Sequence, residues 1–276
     1  MRKEFGLVLL ALFFFSLNAI TGAYAVENND LEQQNENKHK IEPIIENQTI
    51  LKEEADVSGD GKPDIIQITG NHYEEGSSYL KDIYLEISGS DGHKYQAELD
   101  SGYEPTLKLV DLNHDGIDDM FISIPTGGSG GISNYFLYTF KDFSLTDIGV
   151  PEPLMITSQF LDGYKASMTI DNTGQTYTFD LKSRKKDYKR LGLYTNGKLN
   201  EPRELMVDPY STLKPIQVKG ESYGLKGIQQ VSGAYHADGI AFVESTWYYE
   251  NGKWNLVDTK VMDREKIQKK KKKANE

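Results

Sequence analysis

Two short segments of the chain place oxygen-bearing side chains at alternate positions around an Asp-Gly pair. The first reads Asp56-Val-Ser58-Gly-Asp60-Gly61-Lys62-Pro-Asp64, the second Asp111-Leu-Asn113-His-Asp115-Gly116-Ile117-Asp118-Asp119. Aligned, both are D-x-[S/N]-x-D-G-x-x-D. In a tightly turned loop the side chains at positions 1, 3 and 5 point inward, and the Gly that follows permits the sharp bend. Position 7, Lys62 or Ile117, offers a backbone carbonyl, and the Asp at position 9 closes the set. A convergence of hard oxygen donors suits Ca²⁺, which takes about six to eight oxygens. Mg²⁺ fits less well because it keeps its waters, and Zn²⁺ would want His or Cys. The expected metal ligands are Asp56, Ser58, Asp60, Lys62 and Asp64 in the first loop. In the second they are Asp111, Asn113, Asp115, Ile117 and Asp119. His114, at position 4, is expected to face solvent rather than ligate.

One Asp-Gly loop alone is ordinary turn chemistry. Two copies with matching donor types and similar flanks are a stronger signal. Neither copy is an EF-hand. Position 12, where a bidentate Glu is needed, holds Gln67 and Ile122. Each loop runs into an apolar strand start, Asp64-Ile-Ile-Gln-Ile or Asp119-Met-Phe-Ile-Ser-Ile, and not into a helix. The spacing from Asp56 to Asp111, 55 residues, is near that of propeller blades.

These residues resemble the FG-GAP/VCBS repeats of integrin-type propellers, in which such a loop runs into an apolar strand and a Gly-rich turn and aromatic strand follow. The second copy matches over Val110–Ile124, then Thr126-Gly-Gly-Ser-Gly-Gly131, then Asn134-Tyr-Phe-Leu-Tyr-Thr-Phe140. The first matches over Ala55–Gly70, followed by Tyr84-Leu-Glu-Ile. The resemblance implies an all-β protein of FG-GAP-like, β-propeller-type blades, few or degenerate, with Ca²⁺ as the bound ion. It covers under half of the chain. No third loop follows, and Asp171-Asn-Thr-Gly174 is a plain hairpin turn. The overall layout also resembles exported and coat-associated proteins of spore-forming Gram-positive bacteria.

The elements that must position the loops read as strands. Ile83, Leu85 and Ile87 share one face of a strand from Tyr79 to Ser88, which Lys94–Leu99 answers across a turn. Leu107–Leu112 and Asp119–Ile124 flank the second loop. Asn134–Phe140 is strongly aromatic. Tyr164–Ile170 and Gln175–Leu181 form a hairpin, as do Ala241–Tyr249 and Lys253–Val261. Trp247 and Trp254 are expected as cross-strand or core aromatics. Helix signal is weak, with one turn at Arg203–Val207. The basic stretch Lys182–Arg190 reads as a solvated loop or edge strand.

Composition limits the function. The net charge of −11 argues against a nucleic-acid-binding body, which wants a basic face. With no cysteine, disulfides, thiolate metal sites and thiol nucleophiles are excluded. Arg2-Lys3, the apolar run Phe5–Ile20 and Ala23-Tyr-Ala25 form the three-part pattern of a secretory signal peptide. The expected organisation is a signal peptide at 1–25, a flexible polar linker at 26–49 and two calcium-loop repeats at 50–145. A further β-rich region packed on the first follows at 146–262, then a basic disordered tail at 263–276. No transmembrane segment is expected after signal cleavage. The run Lys269–Lys273 offers contact with an anionic surface.

The leading expectation is a secreted or cell-surface Ca²⁺-binding module acting in binding or adhesion. Its partner is a protein or envelope polymer, and it is not an enzyme. Two alternatives stay open, a structural spore-coat or envelope-layer protein and a secreted hydrolase of envelope polymers. For the last, Ser232, His236 and Asp238 lie in one loop, but no nucleophile elbow or H-E-x-x-H motif appears.

Overall fold

A computed structural model of the protein describes residues 47–128 and 130–267. The expected signal peptide, the linker up to residue 46, Ser129 and the tail 268–276 with Lys269–Lys273 lie outside the described residues. The described residues are mostly strand, and every strand pair is antiparallel. The all-β expectation therefore holds.

The first sheet is an up-and-down meander of β1 (Gln48–Ala55), β2 (Asp64–His72), β3 (Tyr79–Ser88) and β4 (Lys94–Leu99), with β5 (Gly102–Tyr103) pairing on β3. The second repeats that order with β6 (Thr106–Val110), β7 (Asp119–Pro125), β8 (Ser133–Thr139) and β9 (Thr146–Asp147). The third has three strands, β10 (Ile156–Leu161), β11 (Lys165–Ile170) and β12 (Gln175–Asp180). After a short helix, α1 (Lys185–Arg190), β13 (Tyr194–Thr195) and β14 (Lys198–Leu199) make a small hairpin around Asn196-Gly197. The fourth sheet is a meander of long strands, β15 (Met206–Lys219), β16 (Ser222–Ser232), β17 (Gly239–Glu250) and β18 (Lys253–Asp263). Among the described residues no sheet closes on itself.

Side chains alternate faces along a strand, and the second sheet uses both faces. Met120, Ile122 and Ile124 of β7 pack with Ile66, Ile68, Leu85 and Ile87 of the first sheet. Phe121, one position out of phase, packs with the cluster that holds Phe160, Met168, Leu225 and Val243 of the third and fourth sheets. β8 follows the same parity, with Leu137 in the second cluster and Phe136 and Tyr138 in the first. A strand buried on both faces reads as a continuous apolar run, and this is why Met-Phe-Ile-Ser-Ile shows so little polar alternation. The third and fourth sheets thus pack against one face of the second sheet, and the first sheet against the other.

Four local expectations need correction. Arg203–Val207 makes no helical turn, because Met206 opens β15. Lys182–Arg190 is neither loop nor edge strand but a 3₁₀ turn leading into α1, drawn down by the fully buried Tyr188. β1 starts at Gln48, inside the predicted linker, because Gln48 and Thr49 pair with Gly70 and Thr69. The tail starts late as well. Asp263 ends β18, pairing with Ala241, and Arg264–Ile267 form a helical turn in which Arg264 lies over the Phe242 ring.

Candidate metal centre

Both Asp loops join the first and second strands of their own meander, and both fold the same way. The N–H groups of positions 2 and 3 donate to one oxygen of the position-9 carboxylate. In the first loop these are Val57 and Ser58 to Asp64 Oδ2, at 3.1 and 3.0 Å. In the second they are Leu112 and Asn113 to Asp119 Oδ2, at 2.9 and 3.0 Å. The position-6 glycine donates to position 1, Gly61 to Asp56 at 2.8 Å and Gly116 to Asp111 at 3.0 Å. Position 7 donates to position 5, Lys62 to Asp60 at 2.9 Å and Ile117 to Asp115 at 3.1 Å. Both glycines sit at positive φ, 85° and 87°, which a Cβ disfavours. Position 4 is also left-handed in both, as Gly59 and as His114.

Asp64 and Asp119 are fully buried. Burial, reinforced by the nearby Asp115 and Asp111 carboxylates, pushes Asp119 up to about 6. Asp60 is held below its ordinary value, chiefly by the Ser90 hydroxyl and then by the Lys62 N–H.

The loops are neighbours. The Ile117 side chain covers Gly59, leaving no room for a Cβ there. The turn after β8 ties them together: Asp142 N–H donates to the Ser58 carbonyl at 3.0 Å, and Lys141 Nζ lies 3.5 Å from Asp115 Oδ2. Lys62 Nζ sits similarly on Asp60, at 3.6 Å.

His114 departs from expectation. It is half-buried and stacks on Tyr248 of the fourth sheet, with ring centroids 4.5 Å apart, and its Nε2 is shut off from solvent without a hydrogen-bond partner. Lys219 Nζ also lies over the Tyr248 ring, 4.0 Å from its centre. The residue therefore docks the second loop on the next sheet instead of facing water. Sequence reasoning also missed Ser90, whose N–H and Oγ donate to Asp64 and Asp60, both at 2.8 Å. Only the β2–β3 register, with Ile65 opposite Ser88, brings that turn over the loop.

The donor chemistry fits a hard cation: carboxylates, a hydroxyl or amide, and a carbonyl. The side chains as they stand are turned onto backbone N–H groups, and among the described residues no three acidic or His side chains converge closely enough to hold an ion.

The third loop considered, Ser232 to Gly239, is not a nucleophile–base arrangement. His236 pairs through Nδ1 with Asp208 at 3.1 Å, and Ser232 Oγ donates to the His236 carbonyl and not to its ring. Asp238 takes Arg184 at 2.7 Å and the Tyr188 hydroxyl at 2.6 Å. Trp247 lies in the core, and Trp254 donates to the Gly149 carbonyl at 2.9 Å.

Residues 154–262 match the family model described as the YybI C-terminal domain. That stretch spans the third and fourth sheets and the hairpin between them. The chain is also similar to the uncharacterized protein YybI of Bacillus subtilis (strain 168), at 29% identity over 223 residues, which cover 78% of this chain and 82% of that protein. No solved structure matches it.

Proposed function

We propose that this protein is an exported, non-enzymatic binding module of the cell surface that takes Ca²⁺ in its two Asp loops. The observation that supports the reading is repetition. Two consecutive meanders carry the same loop between the same strands, with the same four backbone-to-carboxylate hydrogen bonds. In this reading the four-stranded meanders are propeller-type blades, few in number. The third sheet is a degenerate blade, and the fourth has lost its loop, since β15 and β16 are joined by Gly220-Glu221 alone.

The ion would be held by Asp56, Ser58, Asp60, the Lys62 carbonyl and Asp64, and by Asp111, Asn113, Asp115, the Ile117 carbonyl and Asp119. Bound there, Ca²⁺ supplies positive charge among carboxylates that otherwise repel each other. The chain supplies the rest. Gly61 and Gly116 set the bend, Asp64 and Asp119 pin the loop backbone, and Lys141 and Asp142 hold the two loops side by side.

Extracellular Ca²⁺ sites bind at about 10⁻⁴–10⁻³ M. At millimolar Ca²⁺, a site of about 10⁻⁴ M adds roughly 1.4 kcal/mol, or a rise in midpoint of about 3–6 °C per site for a body of this size. Thermal unfolding of the full chain in Ca²⁺ and in chelator should show that rise. Superimposable transitions in the two buffers would leave the loops as Asp-Gly turns.

A further inference from the structure

The outer face of the third sheet carries two rows of uncharged polar residues, with the Asp171 carboxylate at one end, where it accepts the Thr157 hydroxyl at 3.0 Å. β-strand register sets Thr157 of β10 beside Thr169 of β11 and Thr176 of β12. The next row is Gln159, Ser167 and Thr178. Neighbouring strands are about 4.8 Å apart, close to the length of one pyranose ring. Neither the Gln159 amide nor the Ser167 hydroxyl has a hydrogen-bond partner among the described residues.

The β10 and β11 members of these rows, Thr157, Gln159, Ser167 and Thr169, form a floor that is not flat to solvent. The segment 199–205 runs along the free edge of β10 as a wall and closes a groove of about 1020 Å³. The wall is fastened at three points. Leu199 N–H donates to Asp162 at 2.8 Å, Phe160 N–H donates to the Arg203 carbonyl at 2.8 Å, and Leu205 N–H donates to Ser158 Oγ at 3.2 Å. The groove therefore exists before any ligand arrives, which lowers the entropy loss on binding.

We infer that this groove binds an extended, uncharged, hydroxyl-rich polymer, that is, a glycan strand. The inference rests on the surface-binding reading above and is independent of Ca²⁺. Three features fix the ligand class. Between Asp171 at one end and Lys165 at the other, the floor offers uncharged donors and acceptors, matching hydroxyls rather than phosphates or ammonium groups. The rim carries Asp162, Glu201 and Glu204 against Lys165 and Arg203, a balance that turns away polyanions. A peptide adding as a strand would need the free edge of β10, and the wall already takes the Phe160 N–H there. No aromatic side chain of the floor faces the groove, so stacking adds nothing to the affinity and the titration is carried to millimolar sugar.

The test is titration of the full chain with chitotetraose and with cellotetraose, followed by amide NMR shifts, in Ca²⁺ and in chelator. Expected are shifts confined to 157–169 and 199–205 for at least one sugar, weakened about tenfold in Gln159→Ala/Ser167→Ala. Gln96→Ala, on the exposed face of the first sheet, should leave them unchanged. No shift at millimolar sugar, shifts elsewhere on the surface, or preference for polyglutamate would overturn the inference. Sugar binding in both buffers with no Ca²⁺ effect on unfolding would retain the groove and discard the metal. A Ca²⁺ effect with no sugar binding would do the reverse.

Discussion

Asp119→Ala should lower the stability of the chain by about 3–5 kcal/mol, measured by urea denaturation in chelator. Asp119 is fully buried, and one of its oxygens accepts the Leu112 and Asn113 N–H groups while the other accepts Asn113 Nδ2 at 3.1 Å. Alanine orphans these donors in a closed loop, at about 1–3 kcal/mol for each buried group left unpaired. Asp119→Asn keeps an oxygen acceptor and should recover most of the loss. Asp118→Ala, one position earlier and exposed, should change stability very little. The three variants together separate the loop's own hydrogen bonding from any metal, because all are read without Ca²⁺. Equal midpoints for Asp119→Ala and Asp118→Ala would show that the carboxylate is not what holds the loop.

The second large effect lies in the region that matches the YybI C-terminal domain. Asp238 is nearly buried, with 7% of its side chain exposed, and it gathers Arg184, the Tyr188 hydroxyl and the Ala234 N–H at 2.9 Å. Burial first, and then the bond to Asp238, push the Tyr188 hydroxyl well above the ordinary tyrosine range, so it stays a donor. Removing one partner of a buried ion pair costs about 3–5 kcal/mol, and Asp238→Ala should fall in that range. Tyr188→Phe deletes one hydrogen bond and keeps the ring packed against Phe160, so about 1–2 kcal/mol is expected. Because both act on one network, the double variant should lose less than the two single losses added. Strict additivity in that cycle would mean that the contact contributes no coupling. The groove residues Gln159 and Ser167 lie outside this network, so their variants should unfold like the wild type.

Much of this fold is written in local pattern. β3 and β4 begin and end where alternation and turn residues place them, since Ile83, Leu85 and Ile87 need one buried face and the turn at Ser88–Gly92 admits one register. The hairpins around Asp171–Gly174 and Asn251-Gly252 follow the same logic. β15 and β16 were less readable. Pro209 and Pro215 interrupt β15, and β16 carries Gly224 and Gly227, where any Cβ would meet Trp247 or Tyr210. Those glycines answer to a neighbour far away in sequence, so local pattern reads them as breakers. Tyr188 shows the same limit: the eight basic or polar residues around it in Lys182–Arg190 mark a solvated stretch, and one buried ring overrides them.

The site divides in the same way. The donors and the bend of each loop are visible in D-x-[S/N]-x-D-G-x-x-D, because spacing alone sets which side chains share the inside of the turn. The partners are not visible. Ser90, Lys141 and Tyr248 reach the loops through register and sheet packing, and the groove on the third sheet needs the wall at 199–205 to be recognised as more than a Thr-rich exposed face.

Calorimetric titration of Ca²⁺ into the full chain, beside Asp60→Ala, Asp115→Ala and the double variant, reads ion binding at the two loops directly. Two sites per chain are expected in the wild type, one in each single variant and none in the double. A wild type that takes up no Ca²⁺ at millimolar concentration, or one whose stoichiometry is unchanged by both substitutions, would contradict ion binding at the loops.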